Sequence, residues 1–169
     1  MSSTLQRDRA SALAKSDPKQ ALAIARSISD PWFRAQALSW VARFTDGDPL
    51  PIAKQAAKAA SECDDDYKRS SVRAWEIAAL AERNLKSEAK KTLNDAVRLA
   101  RGVHPFPSRS EALFLLLQSA FTISSTEANF VREILIQSCP VEEHWRCSRA
   151  VRDTARIQNG ELAPRPFFW

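Results

Sequence analysis

From about residue 3 to residue 158, apolar side chains recur at steps of three and four. No stretch of four or more residues alternates cleanly between apolar and polar beside a Gly or Asn-Gly turn. That period lines one side of a helix and leaves no material for a sheet. Helices are expected over about 3–15, 18–28, 31–44, 50–62, 66–84, 86–102, 108–123, 126–138 and 141–158, nine in all. Their punctuation is unusual, because the chain holds only 3 Gly against 9 Pro. Asp17-Pro18 and Asp30-Pro31 each offer an acidic N-cap followed by a proline in the first turn, while Asp46-Gly47-Asp48-Pro49 breaks the third helix after Phe44.

An internal repeat underlies this regularity. Ala21-Leu-Ala-Ile-Ala25-Arg-Ser-Ile28 aligns with Ala56-Ala-Lys-Ala-Ala60-Ser-Glu-Cys63 at a step of 35, and with Ala96-Val-Arg-Leu-Ala100-Arg-Gly-Val103 at a further step of 40. A fourth copy ends at Cys139, 36 residues beyond Val103. After each first helix come a turn and a second helix, and Trp40 and Trp75 also stand 35 apart. The small alanines let paired helices approach closely, and the larger residue at 28, 63, 103 or 139 closes the hairpin.

Two-helix units of 35–40 residues resemble the tetratricopeptide and HEAT-like families of α-solenoids, over about residues 18–158. Asp30-Pro-x-x-Arg34-Ala-x-Ala-Leu38 looks like degenerate bacterial repeats of this kind. The first helices lack the Trp, Leu-Gly and Tyr of the tetratricopeptide pattern, so the likeness is one of architecture. It implies an all-α, right-handed solenoid of about four helical hairpins plus an N-terminal helix. The expected organisation is one domain over 1–158, with repeats at about 18–44, 50–84, 86–123 and 126–158, and an aromatic tail over 159–169. The resemblance also implies a non-catalytic module whose concave face binds a protein or peptide.

Three groups of residues are candidates for that contact. Arg34, Arg69 and Arg109 occupy one position in successive repeats, so stacked repeats would set their guanidinium groups in a ladder able to clamp carboxylates or phosphates. The alternative is that each braces its own turn on a carboxylate such as Asp30, Asp65 or Glu111. In the last helix Arg146, Arg149, Arg152 and Arg156 lie at steps of three, three and four beside Trp145, forming a basic stripe that also holds Asp153. The third group is the tail Pro164-Arg-Pro-Phe-Phe-Trp169. Phe167, Phe168 and Trp169 are costly to leave in water and should dock on this chain or on another.

The formal charge of +5 is local rather than general. Residues 85–108 and 144–169 each carry +3, and residues 109–143 between them carry −3. A nucleic-acid-binding HEAT-like solenoid is therefore the first alternative, with Lys90, Lys91, Arg98 and Arg101 supplementing the C-terminal stripe. An enzyme with an acid or base in the groove is the second.

Other chemistry is sparsely represented. His104 and His144 fall in turns with no nucleophile motif around them, and neither a phosphate-cradling loop nor a dinucleotide fingerprint can be drawn. Cys139, His144 and Cys147 offer three metal ligands where structural zinc takes four, and Cys139 aligns with core residues. No cofactor or metal is expected. Asp64-Asp65-Asp66 reads as a helix cap with a solvated flank. Three cysteines without paired spacing point to reduced thiols. The first fifteen residues hold no signal core, and the longest apolar run, residues 112–117, is too short to span a bilayer. A cytoplasmic protein without membrane contact is expected. The run 112–117 is apolar all round and needs cover from neighbouring repeats, from the tail or from a second subunit, so a homodimer through 112–117 or the tail is a further expectation.

Overall fold

The computed structural model describes residues 1–164, and these are all-helical, with no strand among them. The helices are α1 (Ser3–Leu13), α2 (Pro18–Ser27), α3 (Pro31–Phe44), α4 (Leu50–Ser61), α5 (Asp66–Ser71), α6 (Arg73–Glu82), α7 (Lys86–Ala100), α8 (Phe106–Ala120), α9 (Ser125–Ser138) and α10 (Trp145–Gln158). The expected Asp-Pro device operates at both sites. Asp17 accepts from the Gln20 amide at 3.0 Å and Asp30 from the Trp32 amide at 2.9 Å, each carboxylate satisfying an orphan donor of the first turn.

Most ends fall within three residues of expectation, as at α8, expected over 108–123 and found over Phe106–Ala120, and two boundaries differ more. The helix expected over 66–84 is interrupted at Val72, whose backbone stays helical (φ −65°, ψ −20°). Just before it, the Ser70 and Ser71 hydroxyls donate to the carbonyls of Asp66 and Tyr67 at 2.6 and 2.5 Å, competing with the main-chain ladder at the junction. The last helix starts at Trp145 rather than 141, because His144 is its N-cap and its Nδ1 accepts the Arg146 amide at 3.1 Å. Where α6 ends, Asn84 takes a left-handed conformation (φ 61°), and the Leu85 amide reaches back to the Leu80 carbonyl at 2.9 Å. Asn can do this work without glycine, consistent with so few glycines in the chain.

Packing follows chain order. In one layer α1 packs on α3, α3 on α6, the α5–α6 rod on α8, and α8 on α10. Each of α2, α4, α7 and α9 packs against the members of that layer that precede and follow it in the chain. The repeat positions make this possible: Ala21, Ala25 and Ile28, Ala56, Ala60 and Cys63, and Ala96, Ala100 and Val103 are all buried. In the fourth copy the buried face of α9 is rotated by one residue. Val131 and Leu135 are buried there, whereas Arg132 and Ile136, which align with the alanines, lie on its margin, and Ile136 is 43% exposed. Only Cys139 keeps its expected place in the core.

Residues 112–117 find their cover within the chain. Ala112, Leu113, Leu116 and Leu117 are fully buried, and Phe114 and Leu115 pack on the core from its edge. The neighbours are α5, α6, α7, α9 and α10, all of which contact α8. No helix among the described residues is long and apolar enough to cross a membrane.

Candidate partner-binding site

The three turn arginines are bound to backbone. Arg34 donates to the Ile28 and Ser29 carbonyls at 2.9 and 3.2 Å, Arg69 to the Cys63 carbonyl at 2.8 Å, and Arg109 to the Val103 carbonyl at 3.0 Å. Each reaches six residues back, to the larger residue that closes its own hairpin. A guanidinium suits this place because the last carbonyls of a helix are unpaired and carry the negative end of its dipole. Two of the three also span to the next repeat: Arg34 pairs with Glu62, and Arg109 donates to the Ser138 carbonyl at 3.0 Å. Arg69 pairs instead with Asp66 at 3.1 Å. The carboxylates expected as braces, Asp30, Asp65 and Glu111, are not their ion-pair partners.

The C-terminal stripe is assembled differently. Arg146 and Arg149 converge on one carboxylate, Glu111 of α8, at 3.5 and 3.0 Å. Both guanidinium groups also lie over the Trp145 ring, 5.6 and 5.0 Å from its centroid, a distance at which the ring quadrupole attracts a cation. Trp145 itself is 61% exposed, although its ring stacks on His144. Further along α10, Arg152 and Arg156 share Asp153 at 3.0 and 3.7 Å, and Arg156 also approaches Glu161 at 3.9 Å. Charge therefore balances at the far end of the stripe, and beside Trp145 two guanidinium groups share one carboxylate. Phe167, Phe168 and Trp169 lie outside the described residues.

A set of aromatics that the sequence did not single out as a site adjoins this end. Trp32 of α3 stacks on Tyr67 of α5, with centroids 6.3 Å apart, and meets Trp75 of α6 edge-on at 6.0 Å. All three are half-buried and rest on the core. Burial raises the Tyr67 phenol above its ordinary value; the charge of Glu111 adds to that and Arg146 opposes it. Because α5 packs on α8, the aromatic trio and the cluster on α8 and α10 belong to one layer. The signal was present, since Trp32 and Tyr67 each stand four residues after the hairpin-closing Ile28 and Cys63. Nothing in that spacing, however, shows that two rings from successive repeats touch.

Other basic residues serve the scaffold. Arg83 donates to the carbonyls of Arg43, Thr45 and Gly47, closing the end of α3. Arg43 lies over Trp40 and Phe44 and pairs with Glu82; desolvation lowers its guanidinium to about 10 against the pull of that carboxylate. In the second basic patch, Lys90 pairs with Glu127 at 2.7 Å and Arg98 with Asp95 at 3.1 Å, while Lys91 and Arg101 are exposed. That patch belongs to α7, in the other helical layer from α10.

Among the described residues no group of three or more His, Cys, Asp and Glu side chains is placed to hold a metal ion. Cys63, Cys139 and Cys147 are free thiols and buried. Burial pushes the Cys63 thiol up to about 11 and raises that of Cys139 as well. His104 is exposed and lines an open depression of about 390 Å³ with Asp65, Asp66 and Tyr67. The chain matches no family model, and comparison with curated proteins and with solved structures finds no match.

Proposed function

We propose that the chain is a non-catalytic protein-interaction module, a right-handed solenoid of tetratricopeptide-like or HEAT-like hairpins that holds a protein or peptide partner. The contact face is the free side of the layer formed by α3, α5, α6, α8 and α10. These helices pack successively on one another, and α2, α4, α7 and α9 are wedged between them from the other side. Closer spacing in one layer than in the other curves a stack of repeats towards the closer layer, and this would make that side concave.

The observation that carries the reading is that this one layer holds two groups of aromatic and arginine side chains, the rings of Trp75, Trp32 and Tyr67 on α3, α5 and α6, and Arg146, Arg149 and Trp145 around Glu111 on α8 and α10. Aromatic and arginine side chains are the residue types that dominate binding energy at protein interfaces. A nucleic-acid backbone is less well served, because Glu111, Asp153 and Glu161 stand among the stripe arginines and the net excess is small. The test compares tagged full-length chain with the double variant Trp145→Ala/Arg149→Glu, purified from the same cells, with co-purifying proteins quantified by mass spectrometry. The expected result is a defined set of proteins retained by the wild type and lost with the variant. An identical set for both chains, or none above a tag-only control, overturns the proposal.

A further inference from the structure

The cluster where α8 meets α10 allows the partner to be described more closely. Two guanidinium groups share the single carboxylate of Glu111, and each carries five N–H donors, more than one carboxylate can accept. Both side chains remain accessible, at 42% and 45% exposure, so a further acceptor can reach them from solvent. The indole beneath them fixes their position, which reduces the entropy lost when a further acceptor binds. The exposed indole also offers apolar area that no part of the described chain covers.

We infer that this end of the face takes a carboxylate side chain of a partner peptide, which bridges Arg146 and Arg149 in competition with Glu111, while an adjacent aromatic or large aliphatic side chain lies on Trp145. The inference rests on the partner-binding reading above and narrows it to acidic segments that also carry a bulky apolar residue. Charge complementarity supports that choice. At Glu111 two guanidinium groups meet one carboxylate, so an added carboxylate finds a cation not matched one to one, whereas the neighbouring Arg152 and Arg156 are already balanced by Asp153 and Glu161. The Tyr67 ring, on the α5 helix that packs against α8, is stacked on Trp32 and adds apolar surface in the same layer towards α3.

Glu111 gives the experiment its sharpest arm, because it acts as an internal competitor for the incoming acid. A random peptide display library is selected on the full-length chain, and the enriched peptides are synthesised and titrated by tryptophan fluorescence. Enriched sequences are expected to place Asp or Glu next to an aromatic or large aliphatic residue. Their affinity should fall about tenfold or more in Arg149→Glu and in Trp145→Ala, and rise about threefold in Glu111→Gln, since each tenfold step corresponds to 1.4 kcal/mol of a charged contact. The rise cannot come from misfolding, so it separates removal of a competitor from general damage. Enriched peptides without acidic residues, or acidic peptides whose binding weakens in Glu111→Gln, overturn the inference and leave the interaction reading standing. No enriched peptide, together with salt-sensitive binding of a labelled single-stranded oligonucleotide, overturns both.

Discussion

Arg109 donates its Nε–H to the carbonyl of Val103, six residues earlier in the chain, at 3.0 Å. Arg69 makes the same bond to Cys63 and Arg34 an equivalent one to Ile28, so a residue repeated for its position closes three successive hairpins. Removing such a side chain leaves helix-terminal carbonyls with no donor.

Arg109→Ala is therefore expected to lower stability by about 2 kcal/mol, the scale of a partly buried hydrogen bond to a charged group. Arg109→Lys should recover less than half of that, because an ammonium cannot direct planar donors to the Val103 and Ser138 carbonyls together. Urea denaturation of the wild type and the two variants checks this. A lysine variant as stable as the wild type would count against the two-carbonyl geometry.

Glu76 is buried against Arg73 at 2.5 Å and accepts from the Thr92 hydroxyl at 3.3 Å. Desolvation raises its carboxyl above the ordinary range despite both partners. The folded state then holds this proton more tightly than the unfolded chain, so the contribution of Glu76 is most favourable in acid. It is lost as pH rises through the window from the ordinary carboxylate value up to the raised one. The stability of wild type relative to Glu76→Gln should accordingly decline as pH rises above the ordinary carboxylate value of 4.5. A difference that grows across the same interval would show that Arg73 outweighs burial.

Leu113 is fully buried at the middle of α8, the helix on which five others pack. Leu113→Ala is expected to cost about 3 kcal/mol, as lost transfer energy plus an unfilled cavity. Leu5→Ala, at a position 58% exposed on α1, should change stability by less than about 0.5 kcal/mol. Paired thermal and urea melts measure the contrast, and comparable losses at both sites would contradict the assigned core.

All three thiols are buried, and that of Cys63 is pushed up to about 11. A disulfide-exchange reagent at neutral pH should modify the native protein far more slowly than the urea-unfolded chain, since burial shields all three sulfurs and raises the thiols of Cys63 and Cys139. Rapid titration of three thiols in the native state would place them at the surface instead.

Much of the architecture was legible because it depends on local chemistry. Helix content followed from apolar spacing, the starts of α2 and α3 from Asp-Pro pairs, and the hairpin-closing positions 28, 63, 103 and 139 from the repeat. The role of the turn arginines as braces was readable, but their acceptors were not. Carboxylates appear in a sequence as distinct letters, whereas every residue brings a carbonyl, and only the path of the chain shows which ones remain unpaired. For the same reason Arg83 gave no sign that it closes α3. The rotated face of α9 was hidden by the match at Cys139, since a repeat aligned on one residue does not reveal a shift within the helix that leads to it.

By itself, the sequence determined an all-helical chain with a period of 35 to 40 residues, because apolar periodicity, capping and turn chemistry act within a few residues of one another. Tertiary structure decided which side chains meet. Trp32, Tyr67 and Trp75 form one aromatic group only because α3 packs on the α5–α6 rod. Glu111 joins Arg146 and Arg149 rather than Arg109 only because α10 packs on α8. Those contacts link residues 35 to 43 apart in the chain, and their partners are chosen by the stacking of helices, which no local pattern encodes.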